Sequence, residues 1–155
     1  MFKQIIIVGF ILFSLNLNAK EINLNNTIKE ASLHNKKLFL FIHTTDCGYC
    51  ESMLEFTLDD DNIKTKLKNN FVYEHINVKK NDIVIFQDFK GSSLEFAKAI
   101  GYDLYPSSLF FDKNRNLILA IPGYQDEKRF NHILNFIISK SYLKMNFHQY
   151  EKESK

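Results

Sequence analysis

The hydrophobic positions along the chain follow two different periods. Leu38–His43 is almost continuously apolar, which is typical of a strand that a sheet buries on both faces. Phe71–Val78 separates into two alternating sets of side chains and predicts a second strand, parallel to the first, because a helix-sized segment lies between them. Within Asp126–Tyr142 the apolar residues recur three and four positions apart, which predicts an amphipathic helix. The pattern therefore predicts an α/β protein.

Shorter segments predict the remaining elements. Ser107–Asp112 and Leu117–Ile121 are apolar runs on either side of four polar residues, which predicts a β-hairpin. Asp61 is a candidate cap for one helix, and Ser92 or Ser93 for another. The further helices are expected at Asn26–Asn35, Gly48–Leu58, Asn62–Lys68 and Leu94–Ile100.

The N-terminus has the pattern of an export signal. Lys3 is the only charged residue before Lys20, and Ile5–Phe13 is apolar apart from one glycine. This stretch is shorter than the roughly 20 apolar residues that a membrane span needs. We expect cleavage after Ala19. An uncleaved N-terminal anchor is the alternative, because Leu17 stands where a small residue is preferred. Either way, the domain is expected to be exported.

Size and charge limit what the protein can do. We divide the whole chain into a signal peptide at 1–19, one domain at 20–143 and a polar, frayed tail at 144–155. Aromatic residues make up 14% of the chain, enough for a substantial core. The formal net charge of +2 includes Lys3 of the signal, so the exported part has no electrostatic case for nucleic-acid binding.

The two cysteines of the chain stand three apart, in Cys47-Gly48-Tyr49-Cys50, just after the predicted buried strand. A dithiol there lies at the turn from a strand into a helix. A thiol in that position can reach solvent, and the helix dipole favours its thiolate. The motif therefore points to thiol–disulfide exchange.

Two other uses of the cysteine pair stay open. A purely structural disulfide would gain little, because closing a four-residue loop removes roughly 2 kcal/mol of chain entropy. Two sulfurs could instead bind a soft ion such as Cu(I) in a binding module without redox turnover, whereas a closed zinc site needs four ligands. His43 lies four residues before Cys47, but the two need not face each other. We predict no metal site and no cofactor other than a redox-active Cys47–Cys50 disulfide.

The order of elements, the Cys-Gly-Tyr-Cys motif and Tyr105-Pro106 before the hairpin together resemble the thioredoxin superfamily. The chain is most similar to exported bacterial thioredoxin-like proteins, including the SoxW-type thiol:disulfide interchange group. The shared stretch begins at Pro106 and ends at Pro122-Gly123-Tyr124, and the likeness covers roughly Leu24–Tyr142.

That resemblance implies a fold. It is a thioredoxin-like α/β fold, with a central mixed sheet of about four strands flanked by helices and a C-terminal β-hairpin and helix. Ile83–Phe86 has the length of a short extra strand, but we expect an apolar insertion packed near the dithiol.

The resemblance also implies residue roles. Cys47 would attack a substrate disulfide, and Cys50 would then resolve the mixed disulfide and release the substrate. Pro106 would be cis and would place its backbone beside the dithiol, while the backbone of Tyr105 would pair with an extended substrate. The alternative for Pro106 is an ordinary trans proline at the start of a strand.

The active-site loop departs from that of the general thioredoxin reductants. They carry Trp before the first cysteine, where this chain has Asp46, and Gly-Pro where it has Gly48-Tyr49. Asp46 either disfavours the Cys47 thiolate or simply caps the helix.

The buried acid that those proteins carry six residues before the first cysteine is replaced by Phe41. Deprotonation of Cys50 then needs another route, through water, Glu51 or His43. His75 is expected to be a packed or edge residue rather than a catalytic one.

Partners and location are further expectations from the resemblance. The substrates would be exported proteins that contain cysteines, in the periplasm, and a membrane electron-transfer partner would keep the dithiol reduced. Tyr49 resembles the dipeptide of exported disulfide isomerases, but the chain has no room for their dimerisation domain, so we expect a monomer. The direction of electron flow stays open, because one hydrogen bond can shift the potential enough to reverse it.

Overall fold

The computed structural model describes residues 19–153, so the predicted signal peptide lies almost entirely outside the described residues. The described chain contains seven strands and six α-helices. The strands are β1 Glu21–Asn23, β2 Lys37–His43, β3 Phe71–Asn77, β4 Ile83–Phe86, β5 Phe89–Ser92, β6 Ser107–Phe111 and β7 Leu117–Pro122. The helices are α1 Leu24–Leu33, α2 Gly48–Ser52, α3 Asp61–Asn70, α4 Ser93–Ala99, α5 Glu127–Ile138 and α6 Phe147–Glu153.

The main sheet has the strand order β3-β2-β6-β7. Strand β2 is parallel to β3 and antiparallel to β6, and β6 and β7 form an antiparallel hairpin. This confirms the predicted mixed sheet of four strands with its C-terminal hairpin and helix. All six residues from Leu38 to His43 are buried, because helices and a second sheet cover both faces of β2.

The two faces of β2 belong to two separate cores. Leu38, Leu40 and Ile42 pack into one core with α1, α4 and the second sheet. The alternate residues, Phe39 and Phe41, pack into the other core with the segment after α2, with α3 and with α5. Strand periodicity thus assigns each residue of β2 to one core.

The second sheet corrects the expectation for Ile83–Phe86. This segment is β4, which pairs in parallel with β1 and antiparallel with β5. Its Val84 and Phe86 pack in the core of Leu38 and Leu40, on the face of the main sheet away from the dithiol helix. We predicted neither partner of β4, because β1 is only three residues long and β5 has one apolar side chain and a glycine among its four residues.

Helix boundaries differ from the sequence expectations at several caps. Asp60, rather than Asp61, caps α3, and its Oδ1 accepts from the amides of Asn62 and Ile63 at 3.0 Å. Ser92 caps α4 in a capping box. The expected helix at Gly48–Leu58 is α2 followed by a π-helical turn, Met53–Thr57. The last long helix ends at Ile138, because Lys140 takes a left-handed conformation before a 3₁₀ turn at Ser141–Leu143.

The C-terminal segment is ordered as a helix rather than frayed. Phe147 of α6 is buried, and its ring centre lies 5.3 Å from that of Phe136 on α5. Tyr150 packs on the same ring at 5.1 Å. Two aromatic residues three positions apart therefore dock an otherwise polar segment. Within residues 19–153, no helix is both long and apolar enough to cross a membrane.

Candidate active site

Cys47 and Cys50 form a disulfide at the end of β2, with their Cα atoms 5.2 Å apart. Cys47 is the N-cap of α2, and its Sγ accepts a hydrogen bond from the Cys50 amide at 3.2 Å. Cys47 is half-buried, whereas Cys50 is only 1% exposed. The two sulfurs therefore differ in access to solvent, which is the asymmetry that an attacking and a resolving thiol require.

Asp46 does not cap the helix, because Cys47 occupies the cap position. Asp46 is exposed and has a φ of 57°, in the left-handed region that aspartate and asparagine enter more readily than most residues. Of the two interpretations of Asp46, the structure contradicts the cap and leaves the effect of its charge on Cys47.

The residues between the cysteines form the exposed tip of the site. A side chain added at Gly48 would meet no atom within 4 Å. Tyr49 is 71% exposed, and its ring centre lies 6.2 Å from that of Tyr124, which comes from the loop after β7. The exposed ring between the two cysteines thus lies near an aromatic ring from a separate segment.

The proline loop lies before β6. The Tyr105–Pro106 peptide bond is cis, and the buried Pro106 carbonyl accepts a hydrogen bond from the Gly123 amide at 2.7 Å. Gly123 has a φ of +84°, a conformation that favours glycine, and it leads directly into Tyr124. Burial, with Asp103 as the smaller cause, raises the pKa of the Tyr105 hydroxyl.

His43 lies on the same face of β2 as Phe41, and its Nε2 is 3.3 Å from Nδ1 of His75 on β3. Burial lowers the pKa of His43 to about 4, and the nearby His75 and Lys80 add to this effect. Within residues 19–153, no side-chain hydrogen bond joins His43 or Glu51 to either cysteine, and Glu51, whose backbone amide donates to the Cys47 carbonyl at 3.0 Å, is exposed. Their proposed proton relay therefore stays a prediction.

Sequence reasoning missed several residues around the site. Thr57, in the π-helical turn, donates to the Gln125 carbonyl at 2.7 Å and ties the dithiol helix to the loop after β7. Two side-chain oxygens in the described part of the chain are buried without a hydrogen-bond partner, Ser108 Oγ and Gln125 Oε1. Ser108 is recognised only from the strand register of the structure, which pairs it with Phe41. Nothing in the sequence pattern signals Thr57.

In the part of the chain that the structure describes, no three His, Cys, Asp or Glu side chains come together in a group that could hold a metal ion.

The chain matches a known protein family. The model of the thioredoxin-like domain matches residues 24–138. The chain matches no curated protein at a significant level.

Solved structures share the fold. A thioredoxin-fold protein from Helicobacter pylori superimposes with a TM-score of 0.64 at 21% identity, over 77% of this chain and 80% of its own. A thioredoxin from Thermus thermophilus gives 0.61 at 18% identity, over 79% and 88%. A putative disulphide-isomerase from Bacteroides thetaiotaomicron gives 0.59 at 21% identity, over 83% and 93%. At these identities the likeness shows the fold alone.

Proposed function

Because the chain belongs to the thioredoxin-like family, we propose that it is a thiol–disulfide oxidoreductase that uses Cys47 and Cys50. The observation that carries the proposal is the unequal placement of the two sulfurs. Cys47 is half-buried at the cap of α2, while Cys50 is buried one helical turn further on. A structural disulfide would need no such difference in access.

The site would work in two steps. The Cys47 thiolate attacks a substrate disulfide, forming a mixed disulfide and releasing the other substrate sulfur as a thiolate. The Cys50 thiolate then attacks the Cys47 sulfur, which closes the Cys47–Cys50 bond and frees the second substrate sulfur. The amide of Cys50, which lies 3.2 Å from the Cys47 sulfur, stabilises the Cys47 thiolate by donating to it.

The setting of this reaction is part of the proposal. The expected signal peptide supports an exported protein that acts on cysteine-containing exported proteins, reducing or isomerising their disulfides. A membrane electron donor would return the disulfide to the dithiol, and the protein would act as a monomer in the periplasm. Tyr49 and Tyr124, together with the backbone of Tyr105 beside Pro106, would form the surface that receives an extended client segment.

Reduction of insulin by dithiothreitol tests the proposal. The wild-type protein should accelerate precipitation of the insulin B chain, and Cys47→Ser should return the rate to the uncatalysed one. Reduced Cys50→Ser, mixed with insulin after the dithiothreitol is removed, should instead accumulate a mixed disulfide between Cys47 and the substrate. A wild-type rate equal to that of Cys47→Ser would count against the proposal, and tight Cu(I) binding by that inactive protein would favour the binding-module alternative.

A further inference from the structure

Two neighbouring serines at the start of β6 differ in what their hydroxyls contact. Ser107 and Ser108 are both buried, and consecutive strand residues point to opposite faces. Ser107 Oγ donates to the Leu104 carbonyl at 2.6 Å. Ser108 Oγ has no hydrogen-bond partner among residues 19–153. Burying an unpartnered hydroxyl costs free energy, so this group points to a role in another state of the molecule.

Ser108 lies on the face of the sheet that the dithiol helix covers. Its partner in the β2–β6 register is Phe41, and the next residue on its face, Phe110, packs in the same core as Phe41. Met53, which follows α2, belongs to that core too. Cys50 lies three residues before Met53 and is equally buried, so both side chains point from the helix toward this face.

The ends of the elements bring Ser108 and Cys50 to the same place. Strand β6 is antiparallel to β2, so β6 begins at the end of the sheet where β2 leads into the dithiol turn. Ser108 is the second residue of β6, and Cys50 is the third residue of α2. The first turn of the helix therefore covers the part of the sheet that contains Ser108.

The chemistry of a hydroxyl suits a sulfur that changes its charge. A hydroxyl can accept a hydrogen bond from a thiol and donate one to a thiolate. Gln125 Oε1, the other buried oxygen without a partner in the described chain, is an amide oxygen and can only accept. The Gln125 Nε2 donates to the Gly123 carbonyl at 3.1 Å, which fixes the orientation of the amide. Phe41 occupies the position, six residues before Cys47, where general thioredoxin reductants carry a buried acid, and its side chain can neither accept nor donate.

We propose that the Ser108 hydroxyl hydrogen-bonds the Cys50 sulfur in the reduced protein and stabilises its thiolate during resolution of the mixed disulfide. This inference rests on the proposed redox function. In the oxidised protein, the Cys50 sulfur carries no charge and no proton, so the hydroxyl gains little from it, in agreement with its unpartnered state. Ser108 is thus paired in one redox state and unpaired in the other.

A mixed disulfide between Cys47 and thionitrobenzoate isolates the step. The proton of Cys50 passes to solvent, and the Cys50 sulfur attacks the Cys47 sulfur. The Cys47–Cys50 bond forms, the bond from Cys47 to the thionitrobenzoate sulfur breaks, and coloured thionitrobenzoate leaves with the electron pair. Cys50 is oxidised, the leaving sulfur is reduced, and the absorbance reports the rate.

Ser108→Ala should slow this release about tenfold at neutral pH and move its pH profile upward, because the Cys50 thiolate has lost a donor. It should also favour the disulfide over the dithiol about tenfold in glutathione equilibration, which corresponds to a potential about 30 mV more negative. Ser108→Thr, which keeps the hydroxyl, should retain the wild-type pH profile.

Ser107→Ala is the matched control. It removes a buried hydroxyl from the adjacent residue but on the opposite face, so it should lower the free energy of unfolding and leave the release rate unchanged. Equal rates in Ser108→Ala and the wild type, or equal slowing in both alanine variants, would overturn the role of Ser108. A wild-type protein that cannot release thionitrobenzoate would overturn the proposed function itself, and this inference with it.

Discussion

His43 and His75 lie edge to edge across the parallel pair β2–β3, with Nε2 of the first 3.3 Å from Nδ1 of the second. Their ring planes differ by 5°. Their centres are 5.5 Å apart, which equals the N···N distance plus about one ring radius on each side. Both nitrogens therefore lie on the line between the centres, and the contact is an in-plane hydrogen bond rather than a face-to-face stack. Such a bond needs one N–H and one lone pair, so it breaks when both rings are protonated.

Replacing His43 with phenylalanine should make the folded protein less sensitive to acid. The unfolded chain protonates this histidine near pH 6.5, but burial holds its pKa at about 4 in the folded protein. The stability that the neutral form contributes is therefore complete above pH 6.5 and is lost as the pH falls toward 4. The loss amounts to about 3 kcal/mol at most. Urea unfolding at several pH values should show a smaller loss for His43→Phe than for the wild type.

The control for this prediction is His75→Gln. It removes the partner ring but keeps His43 buried, and burial is the larger cause of the lowered pKa. The acid sensitivity should therefore persist in His75→Gln. The same acid sensitivity in His43→Phe and in the wild type would show that His43 is not its source.

Asp46→Asn should make Cys47 more reactive. The substitution removes a negative charge beside the thiolate and keeps a residue that accepts the left-handed backbone. Alkylation of the reduced protein by iodoacetamide at neutral pH should become about twofold faster at low ionic strength, and the gain should shrink as salt screens the exposed charge. Asp46→Gly, which also removes the charge, should match it. A gain in alkylation rate that does not change with salt would show that an altered backbone conformation, rather than the lost charge, makes Cys47 more reactive.

Tyr49→Ala should weaken the handling of protein substrates without weakening the fold. The ring is 71% exposed, so its removal should change the free energy of unfolding by less than about 0.5 kcal/mol. A client segment could cover this ring beside Tyr124, so KM for insulin should rise several-fold while the reaction with a small aromatic disulfide stays near the wild-type rate.

Leu143→Ala provides the comparison for Tyr49. Leu143 has the same exposure of 71%, but it lies beyond α5 and follows Tyr142, which lines a cavity with Lys37, the first residue of β2, at the opposite end of the main sheet from the dithiol. Its removal should leave KM for insulin unchanged. An equal rise in KM for both variants would argue that any exposed apolar residue on this surface contributes to client binding.

Phe147→Ala should destabilise the whole domain. The ring is 7% exposed and packs against Phe136, so its loss should cost about 3 kcal/mol and lower the urea midpoint. His148→Ala, at the exposed neighbouring position, should stay within about 0.5 kcal/mol of the wild type. A Phe147→Ala protein as stable as His148→Ala would mean that α6 does not support the core in solution.

Local patterns predicted the centre of the fold and the location of the dithiol. The apolar run of β2 ends a few residues before Cys47, so the strand and the start of the helix could both be recognised from adjacent residues. The pairing of β2 with β3 followed from the helical segment between them. In each case the signal and the structure that it specifies are close in sequence.

Contacts between distant segments could not be predicted in this way. The contact between His43 and His75 depends on strand register, which pairs His75 with Phe41, two residues before His43, and a shift of one residue would turn one ring to the other face. Strand β4 could not be distinguished from an apolar insertion, because its parallel partner β1 is three residues long and lies about sixty residues earlier, while its hairpin partner β5 has only one apolar side chain. The tail looked frayed because Phe147 and Tyr150 find their partner on α5.

The place of β1 also bears on the order in which the chain can fold. Glu21 pairs with Ile83, so a chain that emerges from its N-terminus presents β1 long before the strand that holds it. Strand β2 likewise forms its antiparallel ladder only with β6, since Phe41 pairs with Ser108. When only the residues up to the dithiol helix have emerged, the strands that complete both sheets are therefore still missing. The cysteines are exposed to their surroundings before the domain can fold, and contacts of such sequence separation slow its folding.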